Sequence, residues 1–417
     1  MSSSYPRSGS LRLTVERVCV IAAAVALPLG TSLAADTYVR PQFDLRAETN
    51  DNFDLTPGGG SGSDVYGYLA DLQALIGIAT PRSDTSIRPR VRFQEYPDRD
   101  DMERLEAFLD LRSQYKWDRS EFLVLGKYAR QDSYNADQQG GEFDPLDPTA
   151  PANPTSGNNL VGETRTLFAI RPNYTFEVTE RTRVGIEADY QDVSFDTSSG
   201  QTTQIDYNFV IGQGYVSWSL DPRSDFSVGA YVSKFEAKDD STKTDAFGGE
   251  IGYQYRWSET VGAEVSINYE QNDTTDYLPM AAEESTSGWG GTVTGYREGE
   301  VSSWRVTAGR LFIPTGDGEK ANSDQFRVQY DRDLSERLSF RGAARYEMRT
   351  AIGSDSGNND RDFARADLSL KWMMAPTWYL QGGYSYIWED RASAPDDAAN
   401  NKLFISVGYQ GLARQRR

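Results

Sequence analysis

A chain of 417 residues with 62 acidic and 43 basic side chains has a formal net charge of −19, and it contains no histidine and one cysteine. That acidity argues against nucleic acid as a partner. Without histidine, Ser-His hydrolysis, histidine-dependent proteolysis and histidine metal sites are out of reach, and one cysteine cannot make a disulfide framework.

The first 34 residues read as a secretory signal peptide. Arg7, Arg12 and Arg17 form a basic lead, Val18 to Gly30 is apolar, and Ser32-Leu33-Ala34 is a small-x-small cleavage site. The apolar run is shorter than the ~20 residues of a spanning helix, which disfavours an N-terminal anchor. Cys19 leaves with this segment. The remaining chain has no second long apolar run.

From residue 35 onward the dominant pattern is alternation. In SIRPRVRF at 86 to 93, Ile87, Pro89, Val91 and Phe93 take one face of a strand, and Arg88, Arg90 and Arg92 the other. Pro89 lacks a donor, so a local bulge is expected there. Leu105 to Leu111 alternate against Glu106, Phe108, Asp110 and Arg112. Val184 to Tyr190 alternate against Arg183, Glu187 and Asp189. The same period runs through 247–257, 261–270, 338–347 and 364–372. The last such strand is expected at Lys402 to Gln410, and the basic stretch GLARQRR at 411–417 extends it as a short tail. No stretch of comparable length keeps a helical period.

The connections alternate too. Short turns fall near 82–84, 118–120, 179–181, 221–223, 258–260, 298–300, 335–337 and 375–377. Longer acidic links rich in Gly, Asn, Ser and Pro lie between them, the longest at 132–163. Eight turns and nine links make eighteen strands. The expected fold is all-β: residues 35–410 form a single transmembrane, antiparallel, up-and-down barrel in the cell outer membrane. Its short turns are expected in the periplasm and its long acidic loops outside. A soluble sandwich or propeller accounts less well for Trp117, Trp218, Trp257, Trp372, Trp378 and Trp388 near strand ends, where a barrel carries aromatic girdles.

Two regions resemble a known family. Residues 43 to 76, with ETNDNFDLTP, a Gly/Ser loop and SDVYGYLADLQALI, are similar to the porin-2-like β-barrel porins. So are residues 88 to 131, with RPRVRFQEYPDRDD and WDRSEFLVLGKYARQDS. The rest of the chain matches only as repeated hairpins. The resemblance implies an outer-membrane channel. The group is often found with exopolysaccharide synthesis and export genes, so polysaccharide is an expected solute and export machinery an expected partner, beside outer-membrane lipid and lipopolysaccharide. It supplies no catalytic motif.

The inner face carries the candidate site. Alternation turns Arg88, Arg90, Arg92, Arg112, Arg183, Glu187, Asp189, Arg327, Arg341, Arg345, Arg365 and Asp367 inward as pore-lining residues. Lys127, Arg171, Arg305, Glu250, Glu264 and Glu347 join them. Each arginine is either a free charge of a pore or a wall residue paired to a carboxylate. Glu187 and Asp189 are two apart on one face, which suits hydrogen bonding across a polar lumen better than glycosidase chemistry. The acidic loops, such as PDRDD at 97, lack an EF-hand pattern. No phosphate loop, dinucleotide fingerprint or zinc spacing appears, so neither cofactor nor enzymatic activity is expected. The sequence therefore reads as a channel for polysaccharide or other polar, anionic solutes. The alternative is a non-conducting scaffold barrel whose lumen is filled by a loop, with 132–163 the candidate.

Overall fold

The computed structural model describes residues 36–57, 64–97, 99, 104–133, 135–136, 163–197, 204–277, 282–318, 320–352, 360–392, 394–411 and 414–416. The expected leader at 1–34 and most of the 132–163 link lie outside them. The strands are β1 (Asp36–Asn50), β2 (Val65–Ala79), β3 (Ser83–Glu95), β4 (Arg104–Lys116), β5 (Ser120–Asp132), β6 (Glu163–Glu177), β7 (Thr182–Thr197), β8 (Tyr207–Asp221) and β9 (Ser224–Ala237). Then come β10 (Thr242–Arg256), β11 (Val261–Asp276), β12 (Ala282–Glu298), β13 (Ser302–Pro314), β14 (Lys320–Asp333), β15 (Leu338–Ala351), β16 (Arg361–Met373), β17 (Trp378–Arg391), β18 (Ala398–Gln410) and the short β19 (Arg414–Arg416).

Each spanning strand pairs antiparallel with its neighbours in sequence, and β1 pairs with both β2 and β18. Thr49, for example, faces Tyr66 on one side and Leu403 on the other. The sheet is therefore closed, and its backbone bonds are satisfied without an edge at membrane depth. Period two then sorts the side chains. Leu105, Ile186, Val232, Ile251, Ile267 and Leu403 are among the exposed large apolar residues, while the intervening positions turn inward. A closed barrel with an apolar outer belt is the architecture of the bacterial outer membrane, and that is where this chain resides.

All eight short turns are joined by one repeated contact. The carbonyl of a turn residue accepts from the strand end of the next hairpin: Lys116 N to Arg82 O at 2.7 Å, Glu177 N to Arg119 O at 2.8 Å, and so round to Gln410 N on Thr377 O at 2.8 Å. At this end Trp117, Trp218, Trp257, Trp304, Trp372 and Trp378 stand exposed. Trp388 belongs to the opposite end, where its Nε1 donates to Asp397 at 2.7 Å.

The expected bulge at Pro89 is absent. Gln73 pairs with Arg90 and Ile76 with Ile87 in one unbroken register, and only the pairing between them is missing. On its other side Pro89 still faces Leu109. The absent donor points toward β2 and interrupts the ladder there without shifting it. Pro172 does the same between β6 and β7. The register shift in the barrel wall falls instead at Ser219/Asp221, between β8 and β9 beside a short turn.

The final strand begins at Ala398, four residues before the expected Lys402. After it, Gly411 N donates to Pro41 O at 2.7 Å, and Arg414–Arg416 pair with Thr37–Val39. β1 runs past the end of β18, and the tail covers the edge of β1 that would otherwise stay open.

Candidate functional site: the barrel lumen

Register places every arginine and carboxylate expected to line the pore on the inner face. It also shows which are already paired. Arg88 Nη2 donates to Asp110 at 2.8 Å, and Arg90 Nε donates to Asp71 at 2.8 Å. Arg92 lies 3.3 Å from Asp71 and 3.4 Å from Glu106, with its guanidinium 5.6 Å from the Phe108 ring. So the SIRPRVRF stretch is a charge-paired patch of wall. Arg171 reaches Asp189 at 2.7 Å, and Glu187 accepts from Asn173 at 2.8 Å. Arg183 sits by Glu177 at 3.5 Å near the turn end. Arg112 is 3.4 Å from Gln114.

The wall from β13 through β18 to β1 is different. Arg327 faces Arg345, and Arg345 faces Arg365, so three strands present arginine at one level. Arg345 pairs with Glu347, and Arg365 Nε donates to Asp367 at 2.7 Å. Arg341 pairs with Asp331 at 2.6 Å. Arg327 has no carboxylate within ion-pair distance among the described residues. It is 7 % exposed, one guanidinium nitrogen donates to Gln325, and its Nε has no partner. Arg327, Arg341, Arg345 and Arg365, with Arg46, Arg305 and Lys402, line a cavity of about 560 Å³ together with Glu298, Asp331 and Asp367.

Across the lumen, β7 to β11 turn Glu187, Glu250, Glu264 and Glu270 inward, with few cations among them. Glu250 lies in the field of Glu264 and Glu187. Like charges at this spacing repel, and solvent or a counter-ion must screen them. The lumen therefore runs between a wall rich in arginine and a wall rich in carboxylate.

Alternation did not reveal the inward folding of the loop end. Phe53 and Leu55 after β1 pack with Tyr96, Phe363 and Ile387. Asn135, just after β5, donates to Gln94 at 2.7 Å and Glu106 at 2.8 Å on the inner wall. The β13–β14 tip buries Ile313 and Thr315. Its Gly316 carbonyl accepts from Ile205 N at 2.7 Å, and Lys320 Nζ donates to Glu270 and Asn272 at 2.8 Å each. A second apolar cluster of Leu167, Val193, Phe195, Tyr207, Phe209 and Phe235 fills the inner face of β6 to β9 near the same end. The loop end is thus narrowed on both sides of the lumen, by the 51–57 tip over Phe363 and Ile387 of the arginine wall and by the other contacts over β5 to β11.

No protein-family model matches the chain, and no curated protein does. Among solved structures, OccAB3 of Acinetobacter baumannii is 10 % identical over 91 % of this chain and 99 % of that one, at a TM-score of 0.46. OccK2 (OpdF) of Pseudomonas aeruginosa, solved in complex with glucuronate, is 10 % identical over 90 % and 98 %, at 0.45. The outer membrane protein OpdK of the same organism is 11 % identical over 90 % and 99 %, at 0.42. The likeness is of barrel to barrel. It adds nothing to what the strand pairings already establish.

Proposed function

We propose that the barrel is a channel that passes polar solutes across the outer membrane, acidic sugars and stretches of acidic polysaccharide among them. One observation carries this reading: a cavity of about 560 Å³ inside the barrel is lined by Arg46, Arg305, Arg327, Arg345, Arg365 and Lys402. Such a wall concentrates anions, and an opposing carboxylate wall orients anything that carries both charge and dipole. The polysaccharide part rests on the resemblance of residues 43–76 and 88–131 to the porin-2-like group. Liposome swelling tests it. Glucuronate is expected to enter faster than glucose, which is of similar size, and Arg327→Gln with Arg345→Gln should erase the difference. Equal rates in the unaltered protein would contradict the anion preference.

A second reading, a non-conducting scaffold, is favoured by the inward contacts of Phe53, Leu55, Asn135 and Lys320 at the loop end. It predicts no entry of either sugar.

A further inference from the structure

The pairing of β12 with β13 runs from Glu298↔Ser303 up to Gly291↔Arg310 and ends there, although β12 continues to Ala282 and β13 to Pro314. Above that point β12 stays paired with β11 as far as Asp276↔Ala282, and β13 with β14 as far as Pro314↔Lys320. β14 in turn stays in the wall through Ala321↔Ala351. The seam between β12 and β13 is therefore open at its loop end. Its outward residues by register, Glu283, Ser285, Ser287, Arg310 and Asp324, are polar, so water reaches the free backbone edge.

Phe312 shows where β13 goes. By parity with Trp304 and Arg310 it belongs on the outer face. Yet its ring lies 3.3 Å from the Cβ position of Gly288, whose register partner Glu270 turns into the lumen. β13 therefore passes inside β12. Beyond it the tip reaches toward β8 and β11. The Gly316 carbonyl accepts from Ile205 N at 2.7 Å, and Lys320 Nζ donates to Glu270 and to Asn272 at 2.8 Å each. Lys320 and Glu270 are both buried. Glycines sit at the fork. Gly291 has φ +149°, which residues with a side chain rarely adopt, and a Cβ on Gly309 would lie 2.5 Å from Gly291 O.

A second arrangement competes with this one. Extending the register beyond Gly291↔Arg310 sets Gly290 against Leu311, Trp289 against Phe312 and Gly288 against Ile313. Phe312 would then join Trp289, now 67 % exposed, as a cross-strand aromatic pair on the outer face. Leu311 and Ile313 would turn inward opposite glycines, β12 would recover its ladder, and the ladder would stop at Pro314, which has no donor. We infer that the β13–β14 tip is a gate. Lys320 latches it across the loop end of the lumen. Its release zips the β12–β13 seam and raises the size of solute that enters. What passes rests on the channel reading, whereas the two positions of the tip do not. Removing one partner of a buried ion pair leaves the other charge uncompensated, so loss of Lys320 favours the state in which Glu270 is open to water.

Two engineered cysteine pairs report the two positions, because residues 35–417 contain no cysteine. Gly318→Cys with Ile205→Cys traps the latched tip, since a Cβ at Gly318 lies 3.6 Å from Ile205 Cβ, within disulfide range. Gly318 has φ +86°, which strains that pair, so the second pair carries the decision. Trp289→Cys with Phe312→Cys traps the zipped seam. Each full-length variant is oxidised in phosphatidylcholine vesicles, its disulfides are mapped by mass spectrometry, and entry of glucose and of raffinose, a neutral trisaccharide, is followed by liposome swelling. The 289–312 bond is expected to form slowly, and about tenfold faster with Lys320→Met or Glu270→Gln added, as loss of a charge-assisted contact implies. Raffinose entry should rise several-fold in the 289–312 lock, stay at its basal rate in the 205–318 lock, and return to that of the unaltered protein on reduction, while glucose entry changes little. A 289–312 bond that neither Lys320→Met nor Glu270→Gln accelerates in heat-modifiable protein overturns the inference. So does a complete 289–312 lock that passes glucose and leaves raffinose entry unchanged. A bond accelerated as expected in a barrel that admits neither sugar would support the moving tip while contradicting the channel.

Discussion

At Gly408 a Cβ would lie 2.0 Å from the Tyr379 ring, which lies flat across it and donates to Asp44 at 3.1 Å. Tyr38 over Gly77, Tyr215 over Gly185 and Tyr231 over Gly248 repeat the arrangement in register. A ring pressed to the wall closes the ladder and keeps the lumen clear. Gly408→Val is expected to cost about 1–3 kcal/mol through overpacking, read by urea unfolding in detergent, and Tyr379→Ala in the same chain should recover much of it. Arg92 makes a different kind of claim. It is buried with Asp71 and Glu106, so Arg92→Ser leaves Glu106 without an ion-pair partner among the described residues, while Asp71 keeps Arg90, and should cost about 3 kcal/mol in the same assay. Ion selectivity should hardly move. Asp206, in the connection before β8, is held above the usual carboxylate range by burial, while Phe195 N donates to it at 2.8 Å. A carboxyl raised on folding adds stability below its unfolded value near 3.9 and loses it as pH rises through the folded value. Asp206→Asn keeps the acceptor. It should raise the temperature of heat-modified migration at about pH 8 and change nothing at about pH 3.

The hairpin is the unit of this fold, and its two faces differ in solvent. Val91 is 43 % exposed on the belt, and its neighbours Arg90 and Arg92 face the lumen. Val91→Arg near mid-belt should cost about 2–4 kcal/mol and reduce the heat-modifiable form. The tail acts at the same scale. Truncation after Gln410 removes the bond from Gly411 to Pro41 and the β19 pairing. It should lower the unfolding temperature while leaving conductance intact, because the lost residues lie beyond the lumen. Much of this level was legible in the sequence. Alternation alone decides which face a side chain takes, and the eight turns fall where short polar connectors interrupt it. Partners were not legible, because Arg88 meets Asp110 and Arg90 meets Asp71 only through cross-strand register. Nor was the inward tip. Its TGDGEK composition suits a solvated loop, and only the contacts of Ile205 and Lys320 pull it inside. The end of the β12–β13 pairing at Gly291↔Arg310 had one sequence signal, the glycines at 288, 290 and 291 on one strand and Gly309, facing Thr292, on the other.

Across the whole molecule, closure and charge separation act together. A closed sheet has no edge to spare at membrane depth, so its polar side chains collect inside. There the arginine of β13–β18 and β1 faces the carboxylates of β7–β11. The apolar cluster of β6 to β9 and the β13–β14 tip fill the loop end on the carboxylate side, while the 51–57 tip packs over the arginine wall on Phe363 and Ile387. On the proposed reading, solute passes along the arginine wall, where the cavity lies. The most direct test is single-channel recording of the purified protein in planar bilayers under a salt gradient. Discrete conductance steps are expected, with a reversal potential on the anion side that moves toward cations in the Arg327→Gln, Arg345→Gln, Arg365→Gln variant. Correctly inserted, heat-modifiable protein that stays silent, or a reversal potential that the triple change leaves in place, would contradict the account.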